Sequence, residues 1–258
     1  MGAKPRIDTS RPHPARVYDY LLGGKDHYEV DRQLGERLPE FMRDAAHENR
    51  AFMRRAVTWT ADNGVTQFLD IGTGIPTAPN LHQVAQGVHP AARVVYADND
   101  PIIMRHAEAL LVGTPEGATN YVEADIREPG AILDHAREFL DFERPITLSL
   151  LAIMHFVVDA HDPYGVVSTL MDALPSGSYL ALTHVSLDGF AEEGAKLNET
   201  YTSSIEAQSR SVAEIERFFD GLELIEPGVV ATPRWRGDAP VPPETGPHPN
   251  YAGVARKR

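Results

Sequence analysis

Three carboxylates and a pair of glycines are the residues of this chain most able to organise a ligand. Gly72 and Gly74, in QFLDIGTGIPTAPN (67–80), follow an apolar run. There, missing side chains let the backbone approach a bound molecule closely. Asp70 stands just before them. Asp98 closes a second run, RVVYAD, about 24 residues after Gly74, the position from which a carboxylate accepts both hydroxyls of a ribose. Asp125 follows a third run, TNYVEA, within reach of an adenine amino group. The glycine pair alone does not choose a cofactor, because the same spacing opens dinucleotide-binding folds. The dinucleotide fingerprint wants a third glycine at position 77, where this chain has Thr77 after Pro76. Asp70 would also repel a pyrophosphate. A cofactor with a cationic amino-acid tail, a ribose and an adenine accounts for all three aspartates.

Candidate proton acceptors lie further along. His155 follows the apolar run ITLSLLA by a few residues, so it should emerge at the carboxyl edge of a sheet. An unperturbed histidine titrates near pH 6.5, so a neutral imidazole able to take a hydroxyl proton is available at pH 7. His184 and Tyr28 compete for that role, and His155 also has a purely structural reading beside the strand. Asp100, before Pro101, reads best as a helix cap. Asp98-Asn99-Asp100 is a poor metal site, because the local run supplies no further ligand at suitable spacing. With no cysteine among 258 residues, disulfides, thiolate metal sites and cysteine nucleophiles are excluded.

These residues need strands and helices to hold them. Short β-branched or aliphatic runs occur at 66–71, 93–98, 119–124, 145–151 and 178–185. Between them lie helical patterns, clearest in PGAILDHAREFL, where Ile132, Leu133, Ala136, Phe139 and Leu140 share a face. Val166, Val167, Leu170, Met171 and Leu174 repeat the pattern before Pro175 and Gly177 stop it. Alternating strands and helices predict right-handed crossovers and a parallel sheet. Ser211 and Glu214 read as a capping box opening a last helix through Phe219. LELIEPGVV (222–230) and YAGVARK (251–257), joined by a Pro/Gly-rich loop, predict an antiparallel pair at one side of the sheet.

Residues 1–64 differ in pattern from residues 65–258. A helix interrupted at Gly23-Gly24 is followed by a long one ending near Gly64, carrying Phe41, Ala45, Phe52, Ala56 and Trp59. We expect this segment to form a helical cap over the sheet domain. Tyr18, Tyr20, Asp26, His27 and Tyr28, around a flexible glycine break, would then cover the cofactor and line an acceptor pocket.

Composition narrows the partners. The formal net charge of −13 repels nucleic acid at long range unless a local basic patch compensates. The basic ends (Lys4, Arg6, Arg11, Arg16 and Arg256, Lys257, Arg258) read as solvated tails. No stretch approaches the roughly 18 apolar residues of a membrane span, and the polar N-terminus has no signal-peptide core. A small-molecule acceptor and a cytoplasmic location are expected. No feature specifies an oligomeric state.

The chain resembles the class I S-adenosylmethionine-dependent methyltransferases in FLDIGTG (68–74), VVYADNDP (94–101), EADI (123–126) and SLLAIMHF (149–156). It is most similar to a bacterial subfamily of presumed methyltransferases. That likeness runs in order through RPHPARVYDYLLGGKDHYEVDR, ENRAFMRRA, QFLDIGTGIPT, LSLLAIMHFV, GSYLALTH and LIEPGVV. The resemblance implies an α/β, Rossmann-like fold with a seven-stranded, mostly parallel sheet and helices on both faces. It assigns Asp70, Gly72, Thr73 and Gly74 to the methionine part, Asp98 and Asn99 to the ribose, and Asp125 with Ile126 to the adenine. Leu151, ending the fourth strand, joins the cofactor set. The implied activity is methyl transfer from S-adenosyl-L-methionine to a small or medium-sized molecule, on oxygen or nitrogen. Two rivals stand beside it: a non-catalytic protein using the same pocket as a sensor, and an NAD-dependent oxidoreductase disfavoured by Asp70 and Thr77.

Overall fold

The structure is a computed structural model that describes residues 8–101, 103, 113–237 and 247–258. Three helices open it: α1 (Pro14–Leu21), α2 (Glu29–Arg37) and α3 (Phe41–Asp62). Strands β1 (Gln67–Ile71), β2 (Arg93–Asp98) and β3 (Ala118–Glu123) follow, with α4 (Leu81–Val88) after β1. Then come α5 (Pro129–Phe139), β4 (Thr147–Leu151), α6 (Pro163–Asp172), β5 (Tyr179–Val185), α7 (Ala191–Thr202) and α8 (Val212–Glu216). Two short strands, β6 (Glu223–Leu224) and β7 (Val230–Ala231), precede β8 (Asn250–Arg256).

The sheet order is β3-β2-β1-β4-β5-β8-β6, with β7 also paired to β8. The first five strands are parallel, and β8 runs antiparallel to β5. The expected Rossmann-like architecture is therefore present, with one difference in the count. The run LELIEPGVV does not form one outer strand. It turns at Pro227 and at Gly228, whose φ is +87°, so β6 and β7 pair with different stretches of β8.

Alternation along each strand divides the interior into two layers. Leu69, Ile71, Val95, Ala97, Leu180 and Leu182 pack with α5, α6 and α8. Their sequence neighbours Phe68, Val94, Tyr96, Tyr179 and Ala181 pack with α3 and α4. Each such side chain, fully buried, contributes roughly 1.5–3 kcal/mol relative to exposure. A boundary at residue 64 does not coincide with a break in packing, because Phe52, Ala56 and Val57 of α3 belong to the second layer. A third apolar cluster joins Val17 and Leu21 of α1, Leu34 of α2, Ala46 of α3, Leu197 of α7 and Ile205. It stands above the carboxyl side of the sheet.

The glycine break between α1 and α2 is built rather than flexible. Gly23 takes φ +77°, and the Gly24 amide donates to the Asp19 carbonyl at 2.8 Å. A Cβ on Gly24 would sit 1.9 Å from the Asp19 carboxylate. That carboxylate accepts the Asp26 amide at 3.0 Å and meets His27 Nδ1 at 2.9 Å. Arg16 is likewise no solvated tail residue: it is 3 % exposed and its Nε lies 3.3 Å from Asp31. At the other end, Lys257 Nζ donates to the carbonyls of Met171, Asp172 and Leu174, satisfying the last turn of α6. Lys4 and Arg6 lie outside the described residues, as does most of the Pro/Gly-rich loop. No described helix is long and apolar enough to cross a membrane.

Candidate active site

Parallel register brings the strand ends to one level. Asp70 of β1 pairs with Tyr96 of β2 on one side and Ser149 of β4 on the other. Strand order reverses at β1 (β2 and β3 to one side, β4 and β5 to the other), and such switch points open a crevice at the carboxyl ends. A cavity of about 360 Å³ lies there. It is lined by Asp70, Gly72, Thr73, Gly74, Asp98, Asn99, Asp125, Ile126, Leu151 and His155 from the sheet side, and by Tyr18 from α1.

The glycine loop is shaped for close approach. Gly72 and Gly74 have φ of +78° and +65°, the region that favours glycine. A Cβ on Gly72 would come within 2.7 Å of the Ile153 side chain. The loop is held by Gly72 N donating to Ala97 O at 2.8 Å and by the Gly74 amide donating to Asp98 Oδ2 at 2.9 Å. α4 begins only at Leu81 behind its Asn80 cap, so the loop does not run straight into a helix as the dinucleotide fingerprint does.

Burial pushes the Asp70 carboxyl up to about 6, opposed by the neighbouring Ser149 hydroxyl and by the charge of Arg50. Burial likewise pushes Asp98 up to about 6, opposed by the amides of Gly74 and Asp100. Both carboxylates are thus under-compensated within the protein. A cation beside Asp70 and hydroxyl donors to Asp98 would supply what is missing, which fits an amino-acid ammonium and a ribose. Asp125 differs: its Oδ2 accepts from Arg127 at 2.5 Å, and that guanidinium holds its pKa below the usual carboxylate value. The Asn99 side chain lowers Asp125 further.

The candidate bases separate. His155 is buried in the cavity wall with its Nδ1 lacking a hydrogen-bond partner among the described residues. Burial, with His184 and Arg210 nearby, holds its pKa well below 6.5. It is neutral at pH 7, but a weaker base than an ordinary histidine. His184 does not line the cavity, and the expectation that it could serve as base is not met. Its Nδ1 donates to Val185 O at 2.7 Å, and its Nε2 accepts from Arg210 at 2.9 Å. Burial lowers it to about 3. Tyr28 is also displaced from the reaction centre: it is 39 % exposed, and its amide donates to Asp31 at 2.8 Å at the start of α2. Tyr20, Asp26 and His27 stay outside the cavity, with Tyr20 packed edge-on to His27. Of the five expected lid residues, Tyr18 alone reaches it.

Tyr18 enters a chain of hydrogen bonds that crosses the fold. Its hydroxyl donates to Ala46 O at 3.0 Å and accepts from Asn49 Nδ2 at 2.9 Å. Asn49 Oδ1 accepts from Thr183 at 2.7 Å, and Thr183 accepts the amide of Ala152 at 2.8 Å. Ala152 has φ +55°, a strained value for a non-glycine residue, at the turn that leads from β4 to His155. Other contributors escaped the sequence reading. His13 lies 3.2 Å from Asp100, and Arg50 donates to Thr77 O and Pro79 O, both at 2.6 Å. α7 and the segment after it supply Leu197, Tyr201 and Ile205 to the cavity. Their spacing of four was a legible helical stripe.

The whole chain, residues 1–258, matches the family described as S-adenosyl methyltransferase. The chain belongs to that family. The cofactor of this S-adenosyl methyltransferase is S-adenosyl-L-methionine, in agreement with the under-compensated carboxylates of the strand ends. Among solved structures, a DUF574 family protein from Streptomyces avermitilis MA-4680 shares 45 % identity and a TM-score of 0.93, covering 98 % of this chain and 100 % of its own. A presumed methyltransferase from Thermobifida fusca YX shares 41 % identity at TM-score 0.89, covering 97 % of each chain. The N-methyltransferase NodS from Bradyrhizobium japonicum WM9, solved with S-adenosyl-L-homocysteine, is similar in fold alone, at 12 % identity and TM-score 0.50 over 94 % of this chain and 98 % of its own. No curated protein matches the sequence.

Proposed function

We propose that this S-adenosyl methyltransferase methylates a small molecule, and that cofactor and acceptor share the cavity between the strand ends and the helices above them. One observation carries the reading. The strand-end carboxylates and the wall formed by α1, α3 and α7 line the same cavity. Bound S-adenosylmethionine supplies a methyl group on a cationic sulfur. Asp70 would face its ammonium, Asp98 and Asn99 its ribose hydroxyls, and Ile126 with Leu151 the apolar surfaces of the ligand. Gly72, Thr73 and Gly74 let the backbone close on the methionine part. Asp125, already bonded to Arg127, would contribute less to adenine binding than its position in the sequence suggests. His155, neutral and weakly basic, acts best as a polar contact that orients the acceptor. Alignment in a dry pocket then supplies most of the catalysis.

The acidic balance of the chain and the internal use of Arg16 and Lys257 support a small acceptor over nucleic acid. The cysteine-free composition is compatible with the reducing cytoplasm we propose as its location. Titration calorimetry tests the cofactor assignment: S-adenosylhomocysteine should bind and NAD should not. Tight NAD binding would sink it. A protein that binds the cofactor but leaves every acceptor of a broad small-molecule screen unmethylated would instead be the sensor.

A further inference from the structure

We infer that the acceptor is a neutral, largely apolar molecule built on an aromatic ring, received in a chamber that α1, α3 and α7 wall off beyond the cofactor. This rests on the methyltransferase reading above and names the substrate class for it. The side chains that α1 and α7 contribute to the cavity include no charged group, and α3 contributes one, Arg50. That guanidinium is engaged by the carbonyls of Thr77 and Pro79. What remains is an apolar wall of Leu21, Met42, Ala46, Leu187, Leu197 and Ile205. The charged lining groups sit elsewhere. Asp70, Asp98 and Asp125 stand at the strand ends, and Arg127 and Glu206 are 44 % and 60 % exposed.

Aromatic rings add shape to this chamber. Phe156 and Tyr201 face each other with centroids 6.1 Å apart and planes 25° from parallel, and His155 packs on Phe156 at 4.1 Å. Flat side chains so arranged favour a flat guest through offset or edge contacts. Among the polar tips in the wall, Asn198 and Thr202 of α7 are exposed, and the Thr202 hydroxyl donates to Asn198 O at 2.7 Å. The Tyr18 hydroxyl and the Asn49 amide are satisfied within the protein. The Tyr201 hydroxyl has no hydrogen-bond partner among the described residues, and burial keeps it protonated. It can therefore serve one uncharged polar group of the guest. A carboxylate, phosphate or ammonium would meet no charged group in this chamber beyond Arg50, already engaged by two carbonyls, and would carry a desolvation cost that an uncharged group avoids.

The test compares three probes that share one ring system: 1-naphthol, 1-naphthoate and 1-naphthylmethylammonium. Each is titrated calorimetrically into the full-length protein saturated with S-adenosylhomocysteine. We expect 1-naphthol to bind at least about tenfold more tightly than either charged probe. Tyr201→Leu should weaken 1-naphthol at least about fivefold while S-adenosylhomocysteine affinity stays within about twofold, and Tyr201→Phe should retain most of the ring contribution. Absence of 1-naphthol binding, equal or tighter binding of a charged probe, or an unchanged affinity in Tyr201→Leu would each overturn the inference. The cofactor titration separates the two layers of argument. If S-adenosylhomocysteine binds and 1-naphthol does not, the acceptor class alone is wrong. If S-adenosylhomocysteine itself does not bind, the reading of the cavity fails first.

Discussion

The amide of Gly74 donates to the carboxylate of Asp98 across 2.9 Å, tying the loop after the first strand to the end of the second. The same carboxylate accepts the Asp100 amide on its other oxygen at 3.0 Å. Asp98 thus shapes the glycine loop and, on our reading, holds the ribose. A hydrogen bond to a charged group is worth roughly 1.5–3 kcal/mol. Asp98→Ala is expected to weaken S-adenosylhomocysteine binding by about ten- to a hundredfold in calorimetry. An unchanged affinity would remove Asp98 from the site.

Cofactor affinity should depend on pH through Asp70 and Asp98. Both are raised from 3.8 to about 6 in the folded protein. A raised carboxyl favours the fold most when protonated, below its unfolded value, and this contribution is lost as pH rises through about 6. The ligand needs the opposite state, because ammonium and ribose hydroxyls both prefer a carboxylate. Affinity is therefore expected to be level from pH 7 to 8 and to fall as pH drops below about 6. Titrations across that range in buffers of matched ionic strength check it, and a level profile down to pH 5 would contradict it.

The helices above the cavity should tighten when the cofactor binds. Ala15 of α1 is 4.0 Å from the position a Cβ would take on Gly74, and His13 reaches Asp100. Amide exchange in residues 13–21 is expected to slow with S-adenosylhomocysteine bound. The turn into α2, where Asp26 and Tyr28 lie outside the cavity, should change less. Identical exchange with and without ligand would refute a covering role for α1.

Arg210 should be a structural keystone of the reaction edge. It is 2 % exposed, and it donates to Met154 O, Val157 O, His184 Nε2 and Asp159. Replacement by methionine leaves buried carbonyls without a donor, a cost of about 1–3 kcal/mol for each. Arg210→Met is expected to lower stability by at least about 2 kcal/mol in urea unfolding. A loss below about 0.5 kcal/mol would show that water replaces the guanidinium freely.

Much of the architecture was legible because local periodicity carries it. The runs around Leu69, Val95, Leu148 and Leu182 alternate or stay apolar as sheet strands must. The capping box at Ser211 and Glu214 forms as its spacing implies. LELIEPGVV misled because its proline and glycine sit inside an otherwise strand-like run, where they turn the chain. The glycine break after α1 misled for a different reason. Polar and aromatic residues near a glycine pair look exposed and mobile, whereas Asp19 and Asp31 gather their amides and side chains into a fixed turn.

By itself the sequence determined the alternation of the five parallel strands with helices, the strand ends at which Asp70, Asp98 and Asp125 stand, and the kind of cofactor. Those residues follow their strands directly, so chain position alone puts them at one edge of a parallel sheet. Which histidine reaches the cavity was decided only in three dimensions. His155 and His184 are alike in the sequence, each near the end of a buried strand. Arg210, from a distant segment, occupies His184, while a left-handed turn at Ala152 carries the chain round to put His155 in the cavity wall. The acceptor chamber is likewise a tertiary product. α1, α3 and α7 are far apart along the chain, and only packing in the third apolar cluster brings their uncharged faces together. Local patterns set local conformation, but a pocket is a relation between distant surfaces.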